Sequence, residues 1–307
     1  MAKIKPFRAW RYHPRLTHKI GELTSPLFDV VDERQRVKLY QNPINSIHLS
    51  VPLGEQPVQN AVETLAQWKE EKVVVRDRKP SIYVYYQYFS LAGDPVPKCR
   101  KGFIAMMEAY HWDDGVLMRH ENTIPKAVND RIELLKATQL NVSPTHGLYT
   151  DTEFRLEPYM DEAMRTPIYD EEDYQGVRDV LAIIDDPEIV AKFVGSLKEK
   201  QIILADGHHR YESSMVYRQQ RMEQNPNHTG EEPYNFHAIF LTNTEAKDLR
   251  ILPTHRLLLN YPDFDLDALL RQIDRYFYIK ELEEPNSVHE NILGNRWAFG
   301  LITAEHS

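Results

Sequence analysis

Gln201-Ile202-Ile203-Leu204-Ala205-Asp206-Gly207-His208-His209-Arg210-Tyr211-Glu212 is the stretch on which the reading of this chain turns. Its first half is a short apolar run rich in β-branched residues, the pattern of a buried strand. Asp206 to Tyr211 then pack six polar or permissive residues into a turn. Glu212 to Met222 continue as good helix formers carrying Met215, Val216 and Tyr217. A strand, a tight turn at Gly207 and a helix direct free backbone N–H groups at an anion. Gly207 permits close approach of a ligand to the backbone. His208, His209 and Arg210 add side-chain donors, and a guanidinium holds a phosphate or carboxylate through two parallel bonds. Asp206 would also serve as an ordinary N-cap with a solvated basic first turn behind it. Three basic residues at the positive end of a helix, however, oppose its dipole and call for an offsetting anion.

Outward from this stretch, Val177 to Ile184 reads as a strand, and Asp186-Pro187 starts a helix to about Leu197 with proline at its first position. Downstream, Gln224 to Pro233 is a polar loop and Asn235 to Thr242 another buried strand. Two more polar clusters flank the core. The first is Arg119-His120-Glu121-Asn122-Thr123-Ile124-Pro125-Lys126, followed by Asp130-Arg131 on a helix expected over about 127–137. It gathers an imidazole, an acid, a hydroxyl and a lysine in seven residues; a solvated loop before a salt-bridged helix start fits the spacing equally well. Glu121 is a candidate general base. The second is Ile251-Leu252-Pro253-Thr254-His255-Arg256.

Further out, residues 6–31 look like an extended arm broken by Pro14 and Pro26, and residues 32–40 like a short helix. Ser46 to Val51 alternates as a strand. Val58, Val62, Leu65 and Trp68 fall at helical spacing. Ile82 to Phe89 and Lys101 to Tyr110 form a plausible antiparallel pair around Ala92-Gly93-Asp94-Pro95, with tyrosines packing the sheet rather than stacking bases. Residues 150–176 are acidic, lack periodicity and read as a mobile surface excursion. A helix near Leu266–Tyr276 and a strand at Trp297–Thr303 suggest a smaller α/β unit over 257–307, cut short at its C-terminus.

Composition sets outer limits. At 307 residues, with 42% hydrophobic and 27% charged residues, the chain reads as a soluble globular protein of about two domains. A net charge of −9 argues against a duplex-DNA partner. No apolar run reaches eighteen residues, so no membrane span is expected. Met1 to Trp10 lacks the apolar core of a signal peptide. The single cysteine, Cys99, excludes an intrachain disulfide and suits a reducing cytoplasm, the expected location.

Four ordered motifs resemble the domain-of-unknown-function family numbered 1015. They are Pro6-Phe7-Arg8 with Pro26 and Asp29-Val30; His120-Glu121-x-Thr123-x-Pro125-Lys126-x-x-x-Asp130-Arg131; Ala205 to Glu212; and Leu252-Pro253-Thr254-His255-Arg256. They span residues 1–256, taken as one family-like α/β region. The chain departs from the family at Ser25-Pro26-Leu27-Phe28, where two prolines and a tyrosine are more usual. The Asp-Gly-His-His-Arg turn is also similar to the signature of the ParB/sulfiredoxin superfamily, whose members hold nucleotide phosphates there. That likeness implies a mixed α+β fold: a ParB/sulfiredoxin-like nucleotide-binding core with additional mixed-sheet elements. Within the superfamily, sulfiredoxins need a cysteine where this chain has His208, and partition proteins need a DNA-binding module. An archaeal free-serine kinase opens its turn with an acid, as Asp206 does here.

The resemblance therefore implies a nucleotide-dependent phosphotransferase for a small hydroxyl substrate, with free serine as the best guess. In that reading ATP or ADP binds through Gly207, His208, His209 and Arg210, with Lys126, His255 and Arg256 neutralising phosphate charge. Asp206 and Glu121 take the hydroxyl proton or hold Mg²⁺, while His120, Thr123, Asp130, Arg131 and Tyr211 support the site. The partners expected are a nucleotide and a small-molecule substrate, without DNA or membrane. A second reading is a non-catalytic nucleotide-binding switch with the same cradle. A third is a metal-dependent hydrolase using His120, Glu121, Asp206, His208, His209 and His255. It suffers because adjacent histidines on a helix diverge by roughly 100°.

Overall fold

The apolar runs of the sequence become the strands of a nine-stranded mixed sheet that organises residues 1–250. The computed structural model describes every residue except 92, 93, 95, 174, 175, 252–254, 285, 286 and 304–307. Its strands are β1 (Ile4–Lys5), β2 (Trp10–Tyr12), β3 (Val74–Arg76), β4 (Ile82–Phe89), β5 (Lys98–Glu108), β6 (Leu117–Met118), β7 (Thr145–Tyr149), β8 (Tyr169–Glu172), β9 (Arg178–Ile184), β10 (Ile202–Asp206) and β11 (Phe236–Asn243). The helices are α1 (Ile20–Leu23), α2 (Glu33–Tyr40), α3 (Ile47–Ser50), α4 (Pro57–Glu70), α5 (Pro125–Thr138), α6 (Glu157–Ala163), α7 (Pro187–Leu197), α8 (His208–Glu223), α9 (Leu266–Ile273) and α10 (Val288–Ile292). The fold is thus mixed α/β. Among the described residues no helix is long and apolar enough to cross a membrane.

Across the sheet the order is β6-β10-β7-β11-β5-β4-β9-β8. β10 runs parallel to β6, and β11 parallel to β7; the other pairs along this order are antiparallel. β1 pairs with Met106 and Met107 of β5, beyond the end of the β4 ladder. β11 is buried at all eight positions, as expected of a continuous apolar run in a central strand. One sheet face packs Val84, Phe103, Tyr149 and Leu241 against Leu156 at the start of α6, Met160 within it, and Phe193 and Leu197 of α7. The Phe103 and Phe193 rings meet edge to face at 4.9 Å. Burying each such side chain contributes about 1.5–3 kcal/mol. A separate core joins Tyr12, Leu23, Leu65, Trp68 and Val74, and so binds α4 and the small β2–β3 sheet to the N-terminal segment.

Several local expectations hold. α2, α4, α5, α7 and the β4–β5 antiparallel pair form close to where the sequence predicts them, and Asp186 caps α7 by accepting from Glu188 and Ile189 N–H. The turn expected at Ala92 to Pro95 falls mostly outside the described residues.

Others are corrected. Ser46 to Val51 is not a strand but the single-turn helix α3. Asn45 Oδ1 accepts the Ile47 N–H and bends the chain, and one turn is too short for a 3.6-residue period to show. Residues 6–31 are not simply extended: they hold β2, a 3₁₀ helix over Pro14–Lys19 and α1. Pro14 starts that helix at a position needing no N–H donor, and His13 Nδ1 accepts from Arg15 N–H. The acidic 150–176 stretch contains α6 and the edge strand β8, whose exposed acids suit an outer edge. Trp297 to Thr303 forms no strand among its described residues. The chain divides at Arg250, and the unit from Ile251 onward contributes α9, capped by Asp265, and α10.

Candidate functional site

The organising stretch folds as a strand, a left-handed glycine and a helix, with α8 beginning at His208 rather than at Glu212. Gly207 has φ +90°, a conformation that L side chains rarely adopt. A Cβ there would also lie 2.7 Å from Thr145 Cγ2 and 2.9 Å from Arg210 Nη2. The sharp turn brings the first helical residues back toward the strand end, so Arg210 meets Asp206 one turn earlier. Arg210 Nη2 donates to Asp206 Oδ2 at 2.6 Å, and Nη1 donates to Ser143 Oγ and the Pro144 carbonyl. The guanidinium is buried while the Asp206 side chain is half exposed.

Nη1 and Nη2 of Arg210, a residue the sequence assigns to phosphate binding, hold the turn, and its Nε–H is buried without an acceptor. Burial pulls its pKa down, and Asp206 and Asp29 oppose that. His208 also points inward. It is 1% exposed and packs against Trp112 and His120. Its Nε2 accepts the His120 backbone N–H at 3.4 Å, so the neutral ring carries its proton on Nδ1. Nδ1 lies 3.1 Å from Glu121 Oε1, close but not aligned as a hydrogen bond. Burial lowers the His208 pKa, with Glu121 opposing it.

The second polar cluster lies against the start of α8. His120 Nε2–H donates to the Ala205 carbonyl at 3.2 Å, and the Ile124 N–H donates to His209 Nε2 at 2.9 Å. Thr123 Oγ1 donates to Glu212 Oε2. Three imidazoles and a carboxylate thus fix the loop between β6 and α5 onto the first turns of α8. Further along, Ser213 donates to the Val128 carbonyl, and its small side chain lets α5 and α8 pack closely. Tyr211 is buried and donates to the Tyr110 carbonyl, so it anchors the helix rather than facing a ligand. Ser214 Oγ and Thr145 Oγ1 bracket the fully buried His237, whose pKa burial lowers to about 3.

Arg131 Nη1 donates to the Ser50 carbonyl, Nη2 contacts Asp130, and the guanidinium lies 4.4 Å from the centre of the Phe28 ring. Phe28 therefore serves through the face of its ring. Glu121 and Lys126 are exposed, and the Glu121 side chain is half exposed. His255 and Arg256 belong to the second unit and are exposed within it, while Leu252 to Thr254 lie outside the described residues.

Sequence reasoning missed polar residues inside the sheet. His146 on β7 is Cα partner to Asp206, its Nε2 lies 2.8 Å from Thr242 Oγ1, and it stacks on Phe240 at 5.0 Å. Burial lowers its pKa to about 4, with Arg100 adding and Asp206 opposing. The available signal was a histidine and an arginine at alternating positions of otherwise apolar strands. The tyrosines of β4 do pack the sheet, and Tyr83, Tyr85 and Tyr86 donate to Asp77, Asp179 and Asp161.

The arrangement places an uncapped helix start beside a half-exposed carboxylate. The first-turn N–H groups of α8 have no intrahelical acceptors, and no side-chain N-cap takes their place at the end of β10, where Asp206 is half exposed. Among the described residues no three His, Cys, Asp or Glu side chains group as metal ligands. The Nε2 atoms of His208 and His209 already accept backbone N–H groups, which leaves the hydrolase reading short of its ligands. No curated protein and no solved structure matches the chain significantly. A family model does match, over residues 4–306, and the chain belongs to the family described as Protein of unknown function (DUF1015).

Proposed function

We propose that this chain binds a nucleotide, ATP or ADP, through its phosphates at the start of α8 and transfers a phosphoryl group to a small hydroxyl substrate. Free serine is the first candidate, and the unit around β10 and α8 is read as a ParB/sulfiredoxin-like core. The observation that carries the reading is the uncapped start of a sixteen-residue helix, turned at a positive-φ glycine, with Asp206 half exposed beside it. Such a helix end favours phosphate oxygens through its N–H groups and dipole.

Phosphoryl transfer needs positioning and charge neutralisation more than covalent chemistry. Backbone N–H groups of the first turn supply the first, and Lys126 the second. Asp206 is the carboxylate that accepts the substrate hydroxyl proton, held in direction by Arg210. Glu121, beside neutral His208, is the second acid. Mg²⁺ would arrive with the nucleotide phosphates, and Asp206 and Glu121 are the oxygen donors nearest in chemistry to it.

A non-catalytic nucleotide switch is the second reading, favoured because Arg210 already engages Asp206 at 2.6 Å. The test is phosphorus NMR of the protein with ATP or ADP, Mg²⁺ and a panel of hydroxyl compounds, beside calorimetry of nucleotide binding. A phosphorylated small molecule supports transfer. Bound nucleotide with no product across the panel leaves the switch, and absence of nucleotide binding removes both.

A further inference from the structure

The sheet face that includes His146 and Phe240 carries a polar band running from β9 to β10. At one end Asp179 accepts from the Tyr85 hydroxyl at 2.6 Å and from Gln87 Nε2 at 3.0 Å. Those bonds turn the Gln87 amide so that its Oε1 faces Arg100, whose Nη2 donates to it at 2.5 Å. A neutral amide therefore stands between the arginine and the nearby acid. Among the described residues Arg100 makes no ion pair, and its Nε–H is buried without an acceptor. A buried donor left without an acceptor is disfavoured, so the arrangement favours an acceptor coming to it.

The surroundings are built to keep that charge in place. Gly102, between Arg100 and Ile104 on β5, has no side chain; a Cβ would lie 2.6 Å from Phe240 Cε2 and 2.4 Å from the Leu241 carbonyl. The space admits the Phe240 ring, and Arg100 leans over it with the guanidinium carbon 5.9 Å from the ring centre. Tyr85 meets the same ring edge to face at 5.1 Å, and His146 stacks on it at 5.0 Å. His146 stays neutral, so it neither repels a cation nor pairs with an anion. Beyond it lies Asp206, its partner across the β7–β10 ladder. The backbones of β5 and β10 are three strand spacings apart, about 14 Å. Arg100 reaches part of that way over Phe240, and Phe240 of β11 and His146 of β7 are the side chains that lie between the guanidinium and Asp206 on this face.

We infer that Arg100 is the anchor for the carboxylate of the acceptor substrate, which is accordingly a small hydroxy acid or hydroxy amino acid lying over Phe240 with its hydroxyl toward Asp206. The inference rests on the phosphotransfer reading for the role of Asp206, but not for the binding of the acid. A planar guanidinium matches a carboxylate through two parallel N–H bonds, and the apolar ring beneath strengthens the attraction by excluding water. Arg100 is in this account a specificity-determining residue, and His146 a neutral hydrogen-bonding wall beside it.

The experiment is direct binding of L-serine, glycerate and L-serinamide, followed by NMR without nucleotide, on wild type, Arg100→Gln and Arg100→Lys. Wild type should bind serine and glycerate at least tenfold more tightly than serinamide. Arg100→Gln should lose that preference, Arg100→Lys should keep part of it, and nucleotide affinity should be unchanged in both. In turnover the Gln variant should show a raised KM for serine with kcat largely retained. Equal wild-type binding of serine and serinamide overturns the anchor without any variant, so a misfolded variant does not leave the question open. Full serine affinity in folded Arg100→Gln overturns it too, as does a loss of nucleotide affinity in its place. Serine binding without phosphorylated product overturns the transfer reading and leaves the anchor standing; transfer to serine and serinamide alike does the reverse.

Discussion

Arg210 and Asp206 bond at 2.6 Å across the left-handed Gly207, so the residue expected to greet an incoming anion instead fastens the carboxylate end of β10 to the first turn of α8. The arginine also closes on Ser143 and the Pro144 carbonyl, which ties the start of β7 to the same point. Arg210→Ala leaves a carboxylate and a carbonyl without their donor and should lower the unfolding free energy by about 2–4 kcal/mol. Arg210→Lys should recover only part, since one ammonium cannot reproduce the planar fork. Urea denaturation measures both; an unchanged midpoint in the alanine variant would mark the contact as dispensable.

Asp206→Asn keeps the size of the side chain and removes its charge. Phosphoryl transfer to the small hydroxyl substrate should fall by at least ~10²-fold, the usual scale for loss of a general base. Nucleotide affinity should stay within a few-fold, because the backbone N–H groups of α8 remain. Full turnover by this variant, read by phosphorus NMR, would assign the proton transfer elsewhere.

Gly207→Ala tests the turn itself. The added methyl meets Thr145 and Arg210 below 3 Å and forces an L residue to φ +90°. A loss of about 1–3 kcal/mol is expected from the backbone alone. The Arg210–Asp206 pair should open at the same time, visible as a shifted Arg210 Nε–H resonance. A variant as stable as wild type would show that the turn relaxes without cost.

Buried histidines set the response to mild acid. Burial holds His146 at about 4 and His237 at about 3, and it lowers His208 as well. Above about pH 6.5 these rings are neutral in both folded and unfolded chains, and stability does not depend on them. As the pH falls below that value the unfolded chain binds protons that the fold refuses, so stability drops. His146 and His237 together should give a slope of about 2–3 kcal/mol per pH unit between pH 6 and 5. Glu232, held at about 2 chiefly by the Thr229 and Gly230 donors against burial, joins only below pH 4.5. His237→Gln, which retains polar atoms for Ser214 and Thr145, should flatten the slope by about half. A urea midpoint constant from pH 7 to 5 would contradict the account.

The parts of the fold visible in the sequence were those in which one period runs for several residues. α4, α5 and α7 show their apolar faces, and the strand–glycine–helix pattern of β10 and α8 is written in consecutive residues. α3 and α6 are one or two turns long, so no period accumulates; Asn45 bends the chain into α3 through the Ile47 N–H, and Asp151 fixes the approach to α6 through the Arg155 N–H. The site was legible as a set of residues but not as a direction for each. Nothing local distinguishes His208 turning inward from a histidine facing solvent. That depends on Trp112, His120 and Glu121, between 87 and 96 residues earlier and brought close by the parallel pairing of β6 with β10. Arg100 and His146 were hidden for the same reason, since each gains its setting from strands far away in sequence.

The order of strands has a consequence for synthesis. β10 and β11 are the last strands of the large sheet to be made, yet they occupy interior places, one between β6 and β7 and the other between β7 and β5. β1, β4, β5, β8 and β9 can pair as soon as Ile184 has emerged. β6 and β7 have no neighbour until residues 202–243 arrive. A nascent chain paused near Lys200 therefore presents the open edge of β5 and both edges of β7, apolar templates of the kind that capture other chains. Polypeptides that stop before Asn243 are the ones expected to aggregate, whereas loss of residues beyond Arg250 leaves every strand of the large sheet paired.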